Sequence, residues 1–214
     1  MPRNMEMSNF DERSISMNDF KKGCKVPFPE KIFEQYEKVE QGYMANINVG
    51  KIIDAVKEFV ARQNENVFFF LEVPASLDDE KEIEPGVLDG THKDVYYMDD
   101  MDEEEVNVLL DAIGELLVND GLLSFGFGSP KSKDEIIVGK YNVVKIYSYE
   151  NHSYDDLFKK LEIPQTTNLI TAWDTFTIDS PGVSDIFELN GKDVYSMIED
   201  FKEIGLYFAE QRED

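Results

Sequence analysis

The sequence predicts an α+β fold: one domain with a mixed, mainly antiparallel sheet and helices packed mostly on one face. Three observations carry this. Two apolar runs, VFFFLEVP at 67–74 and LLSFGFG at 122–128, have the length and continuity of buried central strands. Three stretches, 49–62, 103–119 and 192–209, repeat apolar residues at the helical period and would cover that sheet. DEIIVG and YNVVKIYSY, split by Gly139-Lys140, read as a hairpin, so the elements do not follow a strict βαβ alternation.

Residues 1–20 are polar and rich in Met, Ser and Asn, and are expected to form a loosely held tail before a single domain at 21–214. No linker rich in Pro, Gly or Ser divides the rest. PFPEKIFEQYEKVEQG predicts a helix from near Pro29 to Gly42, with Ile32, Phe33, Tyr36 and Val39 on one face. A second helix follows on Val49, Ile52, Ile53, Val56, Phe59 and Val60, and leads through Gln63-Asn64-Glu65-Asn66 into the apolar strand that Pro74 closes. Residues 75–94, with Pro85-Gly86 and Asp89-Gly90, predict a long exposed loop, and DVYYM a short strand.

A strong helix then rests on Val106, Leu109, Leu110, Ile113, Leu116 and Leu117, with Gly121 past its end. Residues 55–74 and 112–130 share one pattern of amphipathic helix, polar turn and apolar strand, a common supersecondary unit. After the hairpin, SYDDLFKKLEI predicts a short helix closed by Pro164. NLITAWDTFTIDSPG predicts a strand ending in a Pro-Gly turn. Val194, Ile198, Phe201, Ile204 and Phe208 place the last helix at 192–209.

The chain has 214 residues, with 45 acidic against 21 basic ones and a formal net charge of -24. Its 15 Phe and 10 Tyr set it apart from disordered acidic chains, which have no core to fill. The charge argues against direct nucleic-acid binding, which needs Lys and Arg to displace phosphate counterions, and against anionic membranes. It suits a basic partner, whose encounter it would speed, and equally an acidic surface that only keeps the chain soluble. Cys24 is the only cysteine, so no intrachain disulfide forms. The N-terminal segment has no apolar run of a secretory signal, and nothing approaches 18 consecutive apolar residues. The expected compartment is the cytoplasm.

The densest charge is MDDMDEEEV, with six carboxylates between Asp99 and Glu105. A calcium loop needs glycine at its sixth position, and Glu104 or Glu105 stands there instead, so no metal is expected. Asp102 and Glu105 have capping-box spacing, and acids in a first turn suit the positive end of the helix dipole. That explains about four carboxylates, whereas 13 acids lie between Asp78 and Glu105 against Lys81 and Lys93. The excess marks an acidic surface. Asp99, Asp100, Asp102, Glu103 and Glu104 are the candidate partner contacts, with Tyr96, Tyr97 and Trp173 as candidate aromatic anchors.

Signals of catalysis are thin. His92 and His152 lie in polar, loop-like settings. Lys21, Lys22 and Lys25 flank Cys24 and could lower its pKa, but no nucleophile signature surrounds it. FGFGSPKS lacks the Gly-Lys-Ser/Thr end of a phosphate loop and the third glycine of a dinucleotide fingerprint, so Phe125 and Phe127 read as alternating strand residues. No catalytic residue, metal or cofactor is assigned.

The first functional expectation is a non-catalytic cytoplasmic protein that binds and neutralises or regulates a basic protein, for instance as the immunity protein of a cationic toxin or nuclease. The alternatives are an enzyme assembled from scattered carboxylates with His92 or His152, and a nucleic-acid mimic. A pocket holding either histidine with two carboxylates would favour the enzyme.

Overall fold

The computed structural model describes residues 15–16, 19–75, 82–84, 87–88, 92–150 and 152–213. The expected tail at 1–20 lies mostly outside them. So do 76–81, 85–86 and 89–91 of the expected acidic loop, in which Glu82–Glu84 pairs with Val87–Leu88.

The first departure from expectation is the helix at 29–42. Pro29–Lys31 makes one 3-10 turn, and then Phe33–Val39 (β1) and Gly42–Asn46 (β2) form an antiparallel hairpin. Buried Ile32, Glu34 and Tyr36 alternate with half-buried neighbours, which is strand periodicity. A carboxylate at one inward position hid that period. Glu34 is fully buried, accepting the Asn48 N–H at 2.9 Å and the Lys51 ammonium at 2.7 Å. Gly42 stops no helix. It closes the hairpin at φ 134°, where a Cβ would stand 2.0 Å from the Ile146 carbonyl oxygen.

Val49–Val60 (α1) buries Ile52, Ala55, Val56, Phe59 and Val60 and leads into Val67–Pro74 (β3). His92–Met101 (β4) is a ten-residue strand, longer than DVYYM, and ends where Glu103–Asn119 (α2) begins. Ser124–Gly128 (β5), Glu135–Val138 (β6) and Val143–Tyr147 (β7) follow as expected, and Asp155–Lys160 (α3) is the short helix. Gly121 is a close-approach residue, since a Cβ there would meet the Gly23 carbonyl oxygen at 2.1 Å.

Two later expectations fail. Residues 168–182 join no strand of the main sheet. Ala172–Thr175 forms a 3-10 turn under a Thr171/Asp174 capping box, Thr177 and Ser180 make an isolated bridge, and Val183–Ser184 pairs with Cys24–Lys25. The helix at 192–209 stops at Lys202 (α4, Val194–Lys202), the chain turns at Gly205 with φ 118°, and Tyr207–Glu213 (β8) becomes an edge strand on β4. The helical spacing of Ile204 and Phe208 crosses that turn by coincidence.

The fold is α+β. The sheet runs β1-β2-β7-β6-β5-β3-β4-β8, with the two-residue Ile15–Ser16 outside β1. Its ladders are antiparallel, and an isolated Tyr36–Gln165 bridge is parallel. One face, carrying Phe69, Leu71, Phe125, Phe127, Ile136 and Ile146, shares a single core with all four helices. Among the described residues, the other face carries no α-helix. There the rings of Phe70 and Phe68 lie over Gly126 and Gly128, where added Cβ atoms would meet them at 2.6 and 2.2 Å. Among the described residues, no helix is long and apolar enough to cross a membrane.

Candidate functional site

The acidic run straddles a strand end and a helix start, which separates its carboxylates into two groups. Glu105 N–H donates to Asp102 at 2.9 Å and Asp102 N–H to Glu105 at 3.0 Å, the reciprocal cap expected of α2. Asp99 and Asp100 belong to β4. Its register with β3 runs from Met98 opposite Phe69 to Met101 opposite Val67, so β4 carries one extra residue there. This bulge breaks the alternation and leaves both aspartates exposed, Asp100 in the left-handed region at φ 58°. Asn66 holds Asp100 through its carboxylate at 3.0 Å, and the Tyr207 hydroxyl donates to Asp99 at 2.7 Å.

These carboxylates rim a groove of about 510 Å³ between the end of β4, the first turns of α2 and the end of α4. Asp99, Asp100, Asp102, Glu104 and Glu105 line it, with no lysine or arginine among the described lining residues. Its floor and walls are apolar: Met98, Leu109, Ala112 and Phe201, with Val108 and Ile204 about two-thirds exposed at 64% and 67%. An acidic ring around an apolar trough is what a basic amphipathic segment would fill.

The other sequence candidates fall unevenly around this groove. Glu103 stands in the same first turn. Tyr97 points to the helix-free face, stacking on Tyr207, the residue that holds Asp99. Tyr96 is buried on the helix side, edge-on to Phe208. Trp173 is not on a strand and lines a separate pocket with Lys93. Lys93 and Asp99 are six residues apart on β4, roughly 20 Å in an extended strand. Nothing in the sequence pointed to Phe201, Ile204 or Val108 as groove residues, because α2 and α4 come together only in the fold.

A second cavity, of about 740 Å³, holds His152 with Glu65 and Glu150. The His152 Nδ1 lies 2.8 Å from the buried carboxylate of Asp134, which also accepts the Tyr154 hydroxyl at 2.7 Å and the Tyr149 N–H at 3.0 Å. Burial pushes the Tyr154 pKa up. Gln63 donates to the Tyr154 hydroxyl at 3.1 Å, and Ser132 donates to Ser129 at 2.7 Å. Ser129, the Lys131 ammonium and two backbone N–H groups converge on Glu65, while Arg62 pairs with Glu58 at 2.9 Å. Most polar groups here are bound to one another, which ties the loops around 63, 131 and 152 together. His92, by contrast, lies opposite Glu213 in the β4–β8 ladder.

Cys24 does not fit a lowered pKa. The thiol is buried, and burial pushes its pKa up despite the flanking lysines. No three His, Cys, Asp or Glu residues group as a metal-ligand set among the described residues. Comparison with protein-family models, with curated proteins and with solved structures returns no match.

Proposed function

We propose that the protein is a non-catalytic binder whose acid-rimmed groove docks a basic protein, as an immunity protein would dock a cationic toxin or nuclease. The observation that carries this reading is five carboxylates around an apolar trough with no cation among its described lining residues. The carboxylates steer encounter and pair with Lys or Arg at the rim. Burial of Val108, Ile204 and Phe201 supplies the non-directional part of the affinity. A pull-down from the native cell identifies the partner. Replacing Asp99, Asp100, Glu103 and Glu104 together by Asn and Gln should then slow association about tenfold or more at low salt, and rising salt should slow the unaltered protein similarly. Unchanged association in the quadruple variant would place the contact surface elsewhere.

A second reading rests on His152. Bonding to Asp134 through Nδ1 leaves Nε2 free to act as a base in a cavity of ligand size. Against it, Glu150 lies 3.7 Å from Nε2, and both nearby serines are engaged with neighbouring side chains. If it holds, the protein hydrolyses a carboxyl or phosphate ester and His152→Gln abolishes turnover. A screen of such esters with no turnover above buffer would remove it.

A further inference from the structure

The helix-free face of the sheet carries a site of opposite charge. A pocket of about 320 Å³ opens there, lined by Lys93, Lys140 and Lys145 with Tyr147 and Trp173 and, among the described residues, with no carboxylate. In a chain with 45 acids to 21 bases, composition alone would surround three lysines with acids. Lys140 and Lys145 nevertheless make no ion pair with any described residue. Like charges gathered around one cavity repel each other, and a bound anion removes that repulsion.

The fold builds this pocket by holding a turn under strain. Lys145 stands opposite Ile137 in the β6–β7 ladder, and both side chains point away from the helices. Lys140 sits in the turn between those strands. The next two residues, Tyr141 and Asn142, both have positive φ, 54° and 64°. Left-handed backbone is unfavourable for a side chain such as that of Tyr141, while asparagine tolerates it better. The surroundings impose it. The Asn142 side chain accepts the Lys21 N–H and donates to the carbonyls of Asp19 and Ile47, each at 2.9 Å. The Tyr141 ring is buried between Trp173 and Phe176, at 4.8 and 4.9 Å between centroids. Its hydroxyl accepts from Ser184 at 2.9 Å. Backbone strain over-determined in this way concentrates at binding and switch sites. Trp173 stands against the turn and stays 54% exposed.

From these observations we infer that the pocket binds a free mononucleotide, its phosphate between the lysines and its base against Trp173. Lysine serves phosphate as a point charge. Stacking on an aromatic side chain suits a base because every base presents a π-face. The volume suits one nucleotide, at the small end of ligand pockets, which span roughly 300–1,000 Å³. A nucleic-acid strand is disfavoured by the net charge of -24.

Trp173 is the only tryptophan, so its emission reports on the site. Titration of the full chain with AMP at low salt, followed by emission and by calorimetry, should saturate with a Kd below about 1 mM. Adenosine and inorganic phosphate should each bind about tenfold or more weakly, as should AMP to the Lys140→Gln/Lys145→Gln variant. Among the described residues neither lysine makes an ion pair, and both stand at a pocket surface, so that variant should keep the circular dichroism of the unaltered protein. The quadruple groove variant should bind AMP at least as well as the unaltered protein, which separates this site from the acidic groove. AMP binding that never saturates, that adenosine matches, or that survives loss of both lysines overturns the inference. So does binding of phosphotyrosine but not AMP.

Discussion

Replacing Lys21 by methionine should stabilise the protein by about 2–3 kcal/mol at neutral pH. Lys21 is 1% exposed, and its ammonium is buried without a hydrogen-bond partner among the described residues. Burial lowers its pKa from 10.5 to about 8, with Cys24 and Asp120 pulling it back up and Lys140 pressing it down. Each tenfold change in proton affinity is about 1.4 kcal/mol, so this fall corresponds to about 3 kcal/mol of destabilisation by the charge. The sign follows from linkage. The unfolded chain holds the proton more tightly, so the penalty is complete below pH 8, where Lys21 is charged in both states. It shrinks as pH rises from about 8 to 10.5 and the folded state alone loses the proton. Methionine has similar length, flexes into irregular space and carries no charge. Chemical denaturation at pH 7, 9 and 10.5 should show the variant's advantage largest at pH 7 and fading by pH 10.5. A variant less stable than the unaltered protein at pH 7, or an advantage independent of pH, would show that the ammonium has a compensating partner.

Lys21 also shows what the sequence concealed. α1, α2, β3 and β5 were legible because the inward positions that set their period are apolar, the buried Asn119 falling only at the last position of α2. β1 was misread because one inward position is Glu34, whose burial depends on Asn48 and Lys51 from the next elements. The end of α4 was misread because the residue that breaks it, Gly205, sits inside a run that keeps helical spacing on both sides. The acidic run divides in the same way. Its capping box is a local pattern three residues apart, while the exposure of Asp99 and Asp100 depends on a bulge fixed by the register with β3. Asp134, Tyr154 and Lys140 carried no signal, since a buried carboxylate network and a pocket lined by three lysines are products of long-range packing. Trp173 was noticed for its rarity, but its lysine neighbours come from β4, β7 and the turn between β6 and β7.

Phe69→Ala should lower the unfolding free energy by about 3–5 kcal/mol. Phe69 has no exposed surface, sits on the helix-covered face of β3 with its ring 5.2 Å from that of Phe127, and pairs across both neighbouring strands. Removing its ring leaves an enclosed void that the helices above cannot fill without moving. Phe68, one residue earlier, tests the other face. Its side chain is half-buried over Gly128 with no helix beyond it. Phe68→Ala therefore loses transfer energy without creating a closed cavity and should cost about 1–2 kcal/mol. Urea denaturation of both variants decides the matter. A loss below about 1 kcal/mol for Phe69→Ala would move β3 from the centre of the sheet to its margin. Equal losses for the two would mean that the helix-free face is as enclosed in solution as the helix-covered one. The ring over Gly128 would then be covered by something beyond the described residues, a second copy of the chain being the simplest candidate, and the Phe68→Ala loss would grow with protein concentration.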